Sequence, residues 1–378
     1  MAEHPLAAGM RPCPRRGSPS AVASVLQVET HDRVPPLARG WDELAGRLGA
    51  SPFLRPGWIA AWSAAFAPGS LMVVAVRRQG ELVGVVPLSR RHGALRSASN
   101  EHSPEFGFLA VDGDVAATLA RAVFAERATT VCLDFVDPND GGLEQCRQTA
   151  RHVGYRSVER LRLRSPYLAI ENDLSAHARP GTRREAERRL RRLAEAGSVT
   201  LEVADGSERL DGLLAEGFEV EASGWKGEQG TAIAGSSETR AFYTGVARWA
   251  AERGWLRLAF LRLDTRALAF VFGLEAEGVF YSLKSGFDPA FRRFGPGGVL
   301  RYQLLRRAFS AGLSRYEFLG DAEPSKLEWT AAYRPRIDFR AFAPSPSGLL
   351  RWTVHAHAYP LAKRVPLASR LRRGFRRR

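Results

Sequence analysis

Residues 287–309 read FDPAFRRFGPGGVLRYQLLRRAF. A strand, YSLKSGF, runs into a turn that holds Arg292, Gly295, Gly297 and Gly298, and a helix starts near Val299. A glycine-rich turn opening a helix can present backbone N–H groups and the positive end of the helix dipole to phosphate oxygens. It can equally be a plain strand–helix connection that needs glycine for positive φ. The spacing Arg292-x-x-Gly295-x-Gly297 is neither the Walker nor the dinucleotide-binding spacing. The absence of both fingerprints argues against an NTPase and a dinucleotide oxidoreductase.

Working outward, WLRLAFLRLDTRALAFVFGLEAEGVFYSLKSGF reads as three strands joined by tight turns at Asp264 and Glu277-Gly278. SRYEFLG and PRIDFRAFAP are later strands. Helices are expected in TRREAERRLRRLAEAG, SERLDGLLAEGFEVEAS and SSETRAFYTGVARWAAERG, the last opened in capping-box style. The first half repeats the order. PFLRPGWIAAWSAAFAPG is a helix ended by Pro68-Gly69, and LMVVAVRRQGELVGVVPLSRR a hairpin turning at Gln79-Gly80. EFGFLAV, VCLDFVD and VERLRLRSPYLAI supply strands, with helices at VAATLARAVFAER and GGLEQCRQTARHVG. Each half thus has a helix with paired aromatics, an antiparallel hairpin, a further strand, a helix and another strand. This predicts an α/β class with a mixed sheet, built from two copies of one unit side by side. The expected divisions are a flexible leader or misassigned start at 1–24, domains at 25–168 and 169–345, and a basic tail at 346–378.

The length, 378 residues, suits two domains with their own cores. The formal charge is +15. Residues 351–378 carry nine basic residues and no acid, and residues 179–192 carry seven Arg against Glu185 and Glu187. The body is therefore near neutral, which makes nucleic acid an unlikely partner. The basic helix is either a solvated face or a contact for an anionic substrate. The tail mixes apolar and basic residues and could lie on an anionic membrane surface. The three cysteines have no zinc or disulfide spacing, which points to a reducing, cytoplasmic setting and no metal. No window is apolar enough to span a bilayer.

Basic residues are almost all Arg; only Lys226, Lys284, Lys326 and Lys363 depart from that habit. A retained Lys suggests a place where a compact ammonium fits and a guanidinium fork does not, such as an anion-binding cleft. Lys226, Lys284 and Lys326 are therefore candidate cleft residues, with Trp225 and Trp329 as candidate walls. Asn100 and His102, in the loop SNEHSPEFG, are candidates to face a cleft between the halves.

Arg-x-x-Gly-x-Gly between a strand and a helix resembles the acyl-CoA pyrophosphate loop of the GNAT acyltransferase superfamily. More narrowly, residues 50–330 resemble its double-domain branch called CelD-like, linked to cellulose and exopolysaccharide synthesis. The words that carry this are SPFLRPGWIAAW, LVGVVPL, EVEASGWKGEQGTAI, YSLKSGFDPAF, GPGGVL and FLGDAEPSKLEWT. Fem-type aminoacyl ligases share the two-domain plan. Pro296 departs from the loop pattern by removing one N–H, and no long helical arm of the Fem kind is present. The resemblance implies acetyl-CoA or another acyl-CoA bound through Arg292, Gly295, Gly297 and Gly298. It also implies transfer to an amine or hydroxyl of a small or lipid-linked acceptor, in the cytoplasm or at the inner face of the membrane. The alternatives are an aminoacyl-tRNA-dependent ligase and a non-catalytic accessory protein of exopolysaccharide synthesis.

The second half has no Cys, and no His between His177 and His355, so it cannot by itself hold a Cys–His or Ser–His–Asp site. Direct attack of an acceptor on a thioester needs only a positioned donor, oxyanion stabilisation and a base. Candidates for acid–base work are Glu221, Asp321 and Tyr316, with Asp288, Glu323 and Tyr281 behind them; Asp288 is also a candidate substrate contact.

Overall fold

The computed structural model describes residues 25–171, 173–223 and 233–358. The first half runs β1 (Leu26–His31), α1 (Ala38–Arg47), α2 (Pro56–Phe66), β2 (Leu71–Arg78), β3 (Glu81–Arg91), β4 (Ala94–Ser97), β5 (Leu109–Ala110), α3 (Gly113–Ala125), β6 (Thr130–Val136), α4 (Gly141–His152) and β7 (Arg156–Ala169). The second runs α5 (Thr182–Ala194), β8 (Val199–Ala204), α6 (Leu210–Ala222), α7 (Ser237–Glu252), β9 (Leu256–Leu263), β10 (Arg266–Ala276), β11 (Val279–Phe287), α8 (Pro296–Ser310), β12 (Arg315–Glu317), α9 (Pro324–Leu327), β13 (Tyr333–Phe342) and α10 (Pro346–Thr353). EFGFLAV is mostly a loop: Leu109 and Ala110 pair with β3, and Phe106 makes a single bridge to Val136 at the end of β6.

One mixed sheet crosses both halves in the order β1-β2-β3-β4-β6-β13-β7-β12-β11-β10-β9-β8. The duplication is visible in it. Each half has antiparallel neighbours β1–β2–β3–β4 or β8–β9–β10–β11, followed by a short parallel step, β4–β6 or β11–β12. The halves then exchange their last strands. β7, the end of the first half, pairs with β12 of the second. β13, the end of the second, pairs with β6 of the first. β7 and β13 pair with each other along Tyr333↔Pro166 to Phe342↔Arg156. PRIDFRAFAP therefore completes the first half, because the free edge of β6 and the inward apolar set Ile337, Phe339 and Ala341 meet there.

Apolar runs such as ALAFVFGL in β10 are buried throughout, because helices cover both faces of the sheet. A core shared by the halves gathers Trp41, Trp58, Phe242, Tyr243 and Phe272. In it the Trp58 and Phe242 rings meet edge to face at 5.2 Å. Gly57 lets α2 lie against α7; a Cβ there would collide with the indole of Trp249. Buried Arg55 bridges the halves, pairing with Asp42 and with Glu277 at the β10–β11 turn. Among the described residues no helix is long and apolar enough to cross a membrane.

Candidate functional site

The parallel step between β11 and β12 lasts three residues and ends at Tyr281↔Glu317. Beyond it the chain turns away through Leu319 and Gly320, both at positive φ. The next six residues of β11, Ser282–Phe287, line a cavity of about 720 Å³, and all but Leu283, at a bulge, are paired by β10 on one side. The other walls are Gly181–Arg189 of α5 and its approach, Glu221 of α6, the first turn of α8, and residues 318–329.

Eight of the residues singled out from sequence meet at this cavity: Glu221, Lys284, Glu323, Lys326, Trp329, Gly295, Gly297 and Gly298. Glu221 is 1% exposed, and its Oε2 accepts a hydrogen bond from the Ile233 amide at 2.8 Å. α6 and β11 touch backbone to backbone beside it, and a Cβ on Gly286 would collide with Glu221 Cα. Lys284, from β11, places its Nζ 5.9 Å from the ring centre of Tyr243. The Lys326 ammonium donates to the Leu319 and Asp321 carbonyls at 2.9 and 3.1 Å and so ties down the turn after β12. Two carbonyls converging on one point suit an ammonium better than a planar fork. Trp329 is buried against Tyr302 and forms part of the same wall.

The turn before α8 differs from expectation in three ways. The helix begins at Pro296, not near Val299, because proline is well suited to a first helical position. Gly295 stands before it at φ 58°, a left-handed conformation that glycine adopts freely. The Gly298 and Val299 amides both donate to the Gly295 carbonyl, which leaves Gly297 to supply the amide of this turn. Arg292 lies on the exposed 3-10 segment Pro289–Phe294 and does not line the cavity. The cation at the helix N-terminus is Arg189 of α5, which packs so close to Gly295 that a Cβ there would strike its guanidinium. Arg189 is held by Glu185 one turn earlier, Nε to Oε1 at 2.6 Å.

Other expected site residues stand outside the cavity. The Asp321 carboxylate is exposed and accepts hydrogen bonds from the Arg164 and Ala322 amides, chiefly the first of which holds it below the usual carboxylate range. It is a loop anchor with little basicity. Tyr316 is buried against Phe280, and burial pushes its phenol up to about 12. Asp288 caps the segment after β11 and pairs with Arg266 at 2.6 Å. Trp225 and Lys226 lie outside the described residues.

Asn100 and His102 belong to a cluster between the halves. Asn100 Oδ1 accepts from the His102 amide at 3.0 Å. The imidazole stacks on Phe66 and sits 3.5 Å from the Tyr243 hydroxyl. Burial first, then the nearby Lys284 ammonium, lowers its pKa to about 4, so the ring is neutral at pH 7. Tyr243 is buried, and burial together with the charge of Glu221 raises its phenol well above the ordinary value. Lys284 thus links the cavity to His102. Tyr243 and Arg189 were missed from sequence: one looked like a packed helix aromatic, the other was one of seven arginines in a row of basic residues. Only the angular phase of α5 against Gly295 selects Arg189. Among the described residues no group of three or more His, Cys, Asp or Glu is placed to hold a metal ion.

Two runs of antiparallel neighbours, each ended by a short parallel step, share the sheet, and the second opens onto a cavity beside a helix N-terminus. Residues 180–327 match the family profile described as an acetyltransferase (GNAT) domain. Among solved structures, FemX is similar over 85% of this chain and 99% of its own, at 14% identity and a TM-score of 0.55. L-PGS from Bacillus licheniformis is similar over 84% of this chain and 96% of its own, at 12% identity and a TM-score of 0.52. These likenesses are of fold. No curated protein matches the sequence.

Proposed function

We propose that the chain transfers an acyl group from acyl-CoA to an amine or hydroxyl by direct attack within the second-half cavity. The observation that carries this is the early end of the β11–β12 pairing beside the N-terminus of α8. A donor with an extended, amide-containing arm can hydrogen-bond along the β11 edge. Its phosphates can then meet the Gly297 amide, the helix dipole and Arg189. The volume is that of a small-molecule site.

Glu221 is the base in this reading. The acceptor nitrogen or oxygen attacks the thioester carbonyl, Glu221 takes the acceptor proton, the C–S bond breaks, and the proton leaves with the CoA thiol. Lys284, in the same wall, can stabilise the developing oxyanion. The cavity lining also carries Arg301 among its cations and Glu185, Glu323 and Glu328 among its acids, so its charge is balanced and its polarity local. The acceptor reading includes a lipid-linked or exopolysaccharide-type intermediate. Leu349, Leu350 and Val354 are exposed on and just after α10, and residues 359–378 that follow hold eight basic residues and no acid; both support docking on an anionic bilayer. Salt-sensitive flotation with phosphatidylglycerol vesicles, reduced in Leu350→Glu, tests that arm.

Melting in the presence of millimolar CoA or acetyl-CoA tests the donor. A raised Tm is expected, since ligands that bind the native state stabilise it. No shift, with binding of aminoacyl-tRNA instead, would replace this reading by an aminoacyl ligase. Stabilisation by neither donor, with vesicle binding retained, would point to a non-catalytic accessory protein.

A further inference from the structure

A second cavity, of about 530 Å³, opens beside the first and is lined by Arg164, His177, Arg179, Thr330 and Tyr333 with small apolar neighbours. The segment 319–331 lines both cavities. Gly320, Lys326 and Trp329 serve the first, while Ala322, Leu327 and Ala331 serve the second.

Among the described residues, no carboxylate neutralises the positive charge of the second cavity. Three nearby arginines on β7 and β13 are committed to carboxylates. Arg162 pairs with Glu101 and Asp338, Arg334 with Glu317, and Arg336 with Glu105 and Asp137. Among the described residues neither Arg164 nor Arg179 reaches a carboxylate at ion-pair distance. Asp321 is the acid that feels Arg164, and its Oδ1 accepts from two backbone amides. The Arg164 guanidinium lies 5.7 Å from the Tyr333 ring centre, an arrangement that holds the fork without neutralising it. Among the described residues no acid lines the cavity.

Both arginines are also anchored at their backbones to the shared wall. The Arg164 amide donates to Asp321 at 3.0 Å, and the Arg179 amide donates to the Glu328 carbonyl at 2.8 Å. Two guanidinium forks brought from separate stretches of chain match a tetrahedral dianion with several terminal oxygens better than a single carboxylate. The Tyr333 face and the volume leave room for an organic body behind the anion.

We propose that this second cavity binds the phosphate group of a small organophosphate through Arg164 and Arg179, with Tyr333 against its organic part. The site does not rest on the acyl-transfer reading. It gives Asp321 and Glu328 a role in positioning the two arginines.

Arginine-directed labelling with phenylglyoxal, mapped by peptide mass spectrometry on the full chain, tests this with glycerol 3-phosphate as the probe. Labelling of Arg164 and Arg179 should fall about threefold or more, while that of exposed Arg39 on α1 stays constant. Arg164→Gln combined with Arg179→Gln should abolish the rise in Tm that the probe gives; both side chains are exposed, so folding should survive. Equal labelling of Arg164, Arg179 and Arg39 with and without the probe would overturn the proposal. So would equal protection by sodium chloride at matched ionic strength, which would reduce the effect to screening.

Discussion

Glu221 holds a carboxylate in a wall from which water is almost excluded, between the backbone of β11 and the Ile233 amide. Glu221→Gln keeps the size of the side chain and an oxygen for that amide but removes the base. Product formation from acetyl-CoA should fall by about 10²–10⁴-fold, with the CoA-induced rise in Tm unchanged. The two arginines near the α8 turn make a sharper pair. Arg189→Gln should weaken CoA binding by about tenfold, while Arg292→Gln should leave it within about twofold in the same titration, because only Arg189 faces the helix N-terminus. His102 supplies a pH signature. Its pKa is about 4 in the fold and about 6.5 in the unfolded chain, so the unfolded state binds more protons between those values. This residue therefore erodes stability as pH falls from about 6.5 to about 4, by up to about tenfold in the folding equilibrium per pH unit, and has no effect above that window. In urea melts, the dependence over that interval should be shallower in His102→Gln than in the parent.

At the level of elements, the site depends on how closely α6 and α8 approach β11. Gly286 allows the first contact. Gly286→Ala should cost about 1–3 kcal/mol in urea unfolding, because the new methyl meets backbone that cannot step aside. Gly212, also on α6, faces open space; Gly212→Ala should stabilise by about 0.5–1 kcal/mol through helix propensity. The elements themselves were largely legible. Turns placed at Gln79, Asp264 and Glu277 by their polar–Gly or polar–Thr pairs are residues at φ 53°, 54° and 50°. The alternating strands, the 3.6-residue periodicity of α3 and the serine-led start of α7 follow from local sequence alone. The short strand β4, and the reduction of EFGFLAV to a two-residue strand and one isolated bridge, were not legible. Both depend on which neighbour offers a free edge.

For the whole molecule, the exchange of β7 and β13 makes each half incomplete without the other. A fragment spanning residues 25–170 lacks β13, leaving β6 without a partner on one edge and Phe339 missing from its core. It should show no cooperative thermal transition by circular dichroism. Extending it through a glycine-rich linker to residues 333–342 should restore one. A sharp transition in the short fragment would mean that the exchange is dispensable.

Sequence alone determined the α/β class, the duplicated order of elements, the glycine-rich turn at the head of a helix, and the lysines of the second half that fall within the described residues, Lys284 and Lys326, as cavity-wall residues. These are encoded in side-chain periodicity and backbone freedom, which act over a few residues. Tertiary structure alone decided that the terminal strands cross over, that Arg189 and not Arg292 faces the α8 turn, and that Asp321 anchors a loop. It also decided that His102, about 180 residues before Lys284, sits near its ammonium. Strand partners and the cation facing a helix end are set by edges and helix phases that meet only after folding, and nothing within a short stretch of chain specifies them.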